Sequence, residues 1–214
     1  MVSATLSLAQ QIVDRLQTEE IVLIPATLDE FWEVVEEFGE EPDFDLEYIN
    51  GNIKAQDGVA TDNNEVMVTN VGCILGTAFY NVPNLRVMGS NKTICIIACE
   101  TAVKPDLVVM GEPSQFFRRK GQEPGTTNPY MVVEIFSDST QKDDRGEKLR
   151  CYKLLESIQH IIYIDQFKPY VSVYTKNGDV HHWYEVDYYS VDETVKIGDV
   201  ALPMRDIYHK VTFD

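Results

Sequence analysis

Val103-Lys104-Pro105-Asp106-Leu107-Val108-Val109-Met110 and Pro129-Tyr130-Met131-Val132-Val133-Glu134-Ile135-Phe136 are the stretches whose reading decides the fold. Each is an apolar run rich in β-branched residues, and both faces of the second read as apolar, the pattern of a strand buried on both sides. Each carries one carboxylate, Asp106 in the first and Glu134 in the second. The second run continues through Ser137-Asp138-Ser139-Thr140 into a helical pattern over about 143–157 that carries Lys148. Two carboxylates and an amine on neighbouring rigid elements are the minimal parts of a metal-dependent phosphodiester-cleaving site.

Glu134 is the oddity. An ionised carboxylate inside an apolar strand is costly unless it is paired or binds a metal. A salt bridge to one Lys or Arg, or a place at a wet strand end, would also explain it. Asp106 follows Pro105 near the start of its strand, where a solvated Asp is ordinary. On the helix, positions 144, 148, 151 and 155 share a face with 152 beside them, so Lys148 lies on the side of Cys151 and Leu155. The alternative is a solvated pair between Asp144 and Lys148, four residues apart.

Outward from these stretches the chain alternates helix and strand signals. The pattern predicts a helix over 3–18 and a short apolar link at 22–26. Thr27-Leu28-Asp29-Glu30 reads as a capping box that opens a second helix. Asn50-Gly51, between Leu46–Ile49 and Asn52–Lys54, is a strong hairpin signal. A helix is expected over 62–80, with Val66, Val71, Leu75 and Phe79 near one stripe. Strand-like alternation follows over 84–100, then a long polar loop over 112–128. Asn177-Gly178 signals another hairpin, with His181-His182 in its second strand. The order of elements is that of an α/β or α+β domain with a mixed central sheet. No linker divides it, so residues 1–214 read as a single domain, with 1–24 as an N-terminal helical arm.

Hydrophobic content of 44% and charged content of 25% are globular values. No apolar run reaches the roughly 20 residues that span a bilayer, and the first 16 residues lack a secretory pattern. The four cysteines, Cys73, Cys95, Cys99 and Cys151, have no metal-binding spacing. Zinc is not expected, Cys95 and Cys99 read as small core residues, and a cytoplasmic, reducing setting is the simplest. The net charge of −17 repels non-specific DNA. Contact with nucleic acid therefore needs a local basic patch, either Arg118-Arg119-Lys120 or the 142–153 helix. No Ser or Cys nucleophile with a partner His is visible.

Pro105-Asp106 before an apolar strand, Val133-Glu134-Ile135-Phe136-Ser137, Ser139-Thr140, Asp144-Arg145-Gly146, Lys148 and Tyr152 together resemble the Uma-two family of the PD-(D/E)XK nuclease superfamily. Glu47 within Glu47-Tyr48-Ile49-Asn50-Gly51 is a weaker match, and the ending Leu202–Tyr208 is similar to the family's close. The likeness runs from about Pro25 to the C-terminus. It implies a restriction-endonuclease-like core, a mixed central β-sheet flanked by helices, with added β-hairpins. It also implies a homodimer. The superfamily's lysine ordinarily stands two residues after the acid, a position held here by Phe136. The resemblance implies that the amine has moved to Lys148 on the following helix. Relatives often carry a histidine near the start of the helix after the first hairpin. This chain has none before His160.

The implied activity is Mg²⁺- or Mn²⁺-dependent cleavage of nucleic acid, DNA rather than RNA. Asp106, Glu134 and Lys148 are the expected catalytic residues. The metal ligands are Asp106, Glu134 and the Ile135 carbonyl, with Glu47 and Tyr152 in support. Glu47 reads as an outer or second-metal carboxylate, or as a plain strand-edge acid. Tyr152 either bonds to the lysine's surroundings or simply packs. Ser137 and Thr140 read as helix caps. A non-catalytic dimeric interaction module and a small-molecule hydrolase are the competing classes, the latter favoured by the acidic surface.

Overall fold

The computed structural model describes residues 6–39, 42–57, 61–136 and 144–213, with the backbone alone for Asp144 and Arg145. Ser137 and Thr140, expected as caps, lie outside the described residues. Two sheets dominate. The first holds seven strands in the order β1 (Ile21–Pro25), β3 (Asn52–Asp57), β2 (Phe44–Ile49), β6 (Thr101–Val103), β5 (Ile94–Ile96), β9 (Gln122–Thr126) and β8 (Phe116–Arg119). The second holds six, in the order β13 (Trp183–Tyr188), β12 (Val171–Lys176), β11 (His160–Asp165), β10 (Pro129–Phe136), β7 (Leu107–Gly111) and β4 (Leu85–Met88). The six-stranded sheet is mixed: β10 runs parallel to β11 and antiparallel to β7. A separate hairpin pairs β14 (Thr194–Ile197) with β15 (Val200–Pro203).

Side-chain alternation divides the interior into three cores. Met131, Val133 and Ile135 on β10 face α3 (Asp62–Phe79), the β14–β15 hairpin and α5 (Met204–Ile207). The buried stripe of α3 is Met67, Val71, Leu75 and Phe79, a strict four-residue spacing that takes Met67 in place of the expected Val66. Val132 and Phe136 face the opposite way, against Cys151, Tyr152, Leu155, β5 and Val103. The third core packs Val22, Ile24, Leu46, Tyr48, Ile53 and Ala55 of the seven-stranded sheet under α1 (Leu8–Leu16) and α2 (Leu28–Phe38). Burying each such aliphatic side chain contributes about 1.5–3 kcal/mol before the entropy cost of ordering it.

Several local expectations are corrected. The apolar link at 22–26 is largely strand β1, paired in register with β3. The polar loop over 112–128 folds as the β8–β9 hairpin, turning at Lys120 (φ 47°) and Gly121 (φ 82°). His181 and His182 sit in the turn before β13, where the Asp179 carboxylate takes the His181 N–H and His182 Nδ1 at 2.8 and 2.9 Å. Cys99 leaves the strand alternation in a 3₁₀ turn, Ile97–Cys99, and is disulfide-bonded to Cys151. That pairing crosses 52 positions, so no short spacing could signal it. The Lys148 helix is shorter than expected: a π-helical turn, Asp144–Lys148, passes into α4 (Leu149–Tyr152).

Candidate active site between the two sheets

The chain crosses from the seven-stranded to the six-stranded sheet through Lys104-Pro105-Asp106, between β6 and β7. Both ends of this crossing are held by acidic side chains. Glu47 Oε1 accepts the Lys104 backbone N–H at 2.9 Å. Asp106 Oδ2 accepts the Ile135 backbone N–H at 2.6 Å. The β10–β7 register pairs Val133 with Leu107, so Asp106 and Glu134 fall beside one another at the end of that ladder.

Glu134 is 4% exposed, on the β10 face that carries Val132 and Phe136. Its carboxylate is compensated from α4. Tyr152 Oη donates to Glu134 Oε1 at 2.6 Å, and Lys148 Nζ lies 3.5 Å from the same oxygen. Lys148, itself 5% exposed, stands 2.9 Å from Glu47 Oε1. One ammonium thus bridges carboxylates from both sheets. The Tyr152 phenol is pushed well above its usual pKa, by burial first and then by the Glu134 charge, so it stays a proton donor at neutral pH.

Lys148 is the last residue of the π turn. A π turn carries an extra residue and shifts the phase of the helix after it, and such turns concentrate at functional sites. Lys148, Cys151, Tyr152 and Leu155 are all buried, so this part of the face read from the sequence holds, while the side chain of Asp144 lies outside the described residues.

The structure therefore brings together Glu47, Glu134, Lys148 and Tyr152, and joins Asp106 to them through Ile135. Two further groups escaped the sequence reading. Asn64, in the first turn of α3, donates to the Ile135 carbonyl at 3.3 Å. It supplies a polar contact near the start of the helix after the first hairpin, where relatives were expected to carry histidine. Lys54 is 4% exposed and sits directly across β2–β3 from Glu47. Strand alternation was the available signal: Lys54 lies between Ile53 and Ala55, on the face that Glu47 shares. Among the described residues no three Asp, Glu, His or Cys side chains form a ligand cluster by themselves.

The six-stranded mixed sheet, the flanking helices and this acid–amine cluster define a nuclease-like fold of the restriction-endonuclease class. The family model Uma2, described as "Putative restriction endonuclease", matches residues 28–204. The chain belongs to the Uma2 family, which supports a nuclease-like, hydrolytic function. Two relatives come from Synechocystis. The uncharacterized protein slr1290 is 28% identical over 78% of this chain and 85% of its own length. The uncharacterized protein sll1609 is 26% identical over 62% and 73%. A crystal structure described as a putative nuclease belonging to DUF820, from Anabaena variabilis, superposes with a TM-score of 0.66. It is 19% identical and covers 86% of this chain and 98% of that one, a likeness of fold. Among the described residues no helix is long and apolar enough to cross a membrane.

Proposed function

We propose that this protein is a Mg²⁺- or Mn²⁺-dependent endonuclease of the PD-(D/E)XK type, cleaving phosphodiester bonds in DNA. The observation that carries the reading is the buried Lys148 ammonium, 2.9 Å from Glu47 and 3.5 Å from Glu134. A buried ion cluster of this kind is costly, and it favours a role in chemistry over one in stability.

The donor set suits a hard cation: Asp106, Glu134 and the Ile135 carbonyl offer only oxygen. These three groups would hold the ion. When bound, it lowers the pKa of a water and offsets charge on the scissile phosphate. Lys148 orients the attacking water and stabilises the negative charge that builds on phosphorus-bound oxygen. Tyr152 fixes the Glu134 carboxylate through its hydroxyl, and Asn64 orients the Ile135 carbonyl. Glu47 holds the lysine and the inter-sheet crossing in one position.

The test is cleavage of supercoiled and single-stranded DNA with Mn²⁺ and with chelator. Wild type should cut only with metal, while Glu134→Ala and Lys148→Ala, still folded by circular dichroism, should lose more than about a hundredfold in rate. Equal cleavage by wild type and both variants removes the assignment.

A second reading, a non-catalytic module acting as a homodimer, draws on the open edge of the six-stranded sheet. Tyr184 and Val186 on β13 and Tyr189 just beyond it are exposed. Tyr is enriched at interfaces. Sedimentation that gives a dimer for wild type and a monomer for Tyr184→Glu, with no metal-dependent cleavage by either, would favour it.

A further inference from the structure

Cys99 and Cys151 tie the helix of the candidate site to the opposite sheet. Cys99 ends the 3₁₀ turn Ile97–Cys99, between β5 and β6 of the seven-stranded sheet. Cys151 lies on α4, after Lys148 and beside Tyr152. Their Cα atoms are 6.0 Å apart, within the span that a disulfide bridges. α4 has only four residues and no side-chain cap at its start. So short a helix does not hold itself in water. Its position follows from what Cys151, Tyr152 and Leu155 meet in the second core. The bond to Cys99 is therefore one of the contacts that fix Lys148 beside Glu47 and Glu134.

The surroundings accommodate the pair open as well as closed. Cys151 is 1% exposed, and its sulfur lies 3.6 Å from Thr101 Oγ1. That hydroxyl donates to the Cys99 carbonyl at 3.0 Å, so its oxygen can accept the Cys151 S–H when the bond is open. Cys99 is half-buried between the exposed residues Ala98 and Glu100, so a small thiol or disulfide meets its sulfur first.

We propose that Cys99 and Cys151 form a reversible redox latch on the helix that carries Lys148. To close it, the Cys99 thiolate attacks a low-molecular-weight disulfide and expels one thiol. The Cys151 thiolate then attacks the mixed disulfide at the Cys99 sulfur and expels the second. Two protein thiols become one S–S bond, and the small disulfide takes up two electrons and two protons. A small thiol attacking Cys99 reverses both steps. The consequence for cleavage rests on the nuclease reading above; the latch itself does not.

The full chain is equilibrated in stepped ratios of reduced to oxidised glutathione, quenched with an alkylating agent and mapped as non-reduced peptides. The Cys99–Cys151 linked peptide should appear in oxidising buffer and vanish in excess reduced glutathione. Hydrogen exchange at the 149–152 amides should be about tenfold or more faster in the open form. Closed protein should cut DNA about tenfold faster than open protein, since the latch positions the amine. Cys99→Ser should cut at the open-form rate in both buffers. A link that never forms, or one that persists in excess reduced glutathione, would overturn the inference. So would equal exchange at 149–152, or equal cleavage, in the two forms. Absence of cleavage in both forms, with the peptide map and the exchange difference as expected, would overturn the nuclease reading and leave the latch standing.

Discussion

Tyr152 is buried with its hydroxyl on a carboxylate that is itself buried, so each group depends on the other. Tyr152→Phe removes one donor from Glu134 and should cost about 1.5–3 kcal/mol, the range for hydrogen bonds to charged groups, in urea unfolding at pH 7. If Glu134 holds the proposed metal, losing this charge-assisted bond should also lower metal affinity about tenfold or more. His160 makes a separate prediction. Burial pushes its imidazole down to about 4, against an ordinary value of 6.5. Between these values the unfolded chain binds the proton and the folded one does not, so stability falls as pH drops through that window. The loss should reach up to about 3 kcal/mol. Melting temperatures at pH 7, 5 and 4 should fall more steeply for wild type than for His160→Gln. At this scale the sequence was partly legible. A lone Glu in an apolar strand must be compensated, and Glu134 is. Lys54 was missed because a lysine inside a hairpin strand is ordinarily solvated, and alternation marks only the face it shares with Glu47, not its burial.

Elements announced by local chemistry formed where the sequence placed them. The Thr27 side chain and Glu30 exchange both bonds of the capping box, and Asn50 (φ 52°) and Gly51 (φ 74°) close the β2–β3 hairpin. The β8–β9 hairpin uses the same pair of left-handed residues, but Lys120-Gly121 in a polar run is a weak signal beside Asn-Gly. At Asn177-Gly178 the signal was sound and the turn longer, because Asp179 binds back onto His181 and His182 and delays β13 to Trp183. The π turn was hidden for another reason: it ends at Lys148, so the buried positions 148, 151, 152 and 155 keep the spacing of an ordinary helix face. Packing between elements supplies a further prediction. A Cβ at Gly125 on β9 would meet Cys95 Sγ at 2.5 Å and the Thr93 carbonyl oxygen at 3.1 Å. Gly125→Ala must therefore displace the buried Cys95 and β5, and should lower stability by about 1–3 kcal/mol in denaturant melts.

For the whole molecule, an α/β arrangement with a mixed sheet follows from the element order, but its division into two sheets does not. β4 to β5, β6 to β7 and β9 to β10 each pass from one sheet to the other. No local pattern records such crossings. Because the proposed ion-holding groups sit at one of them, binding should tie the two halves together. Mn²⁺ at a hundred times its Kd should raise stability by about 2.7 kcal/mol. A thermal shift seen in wild type and absent in Asp106→Asn would bear this out.

The grip of Glu47 on position 104 is made through the main chain alone. Evolution is therefore free to write nearly any amino acid there, and a saturation library should return almost all of them as functional. Proline is the exception, since it lacks the hydrogen that Glu47 grasps.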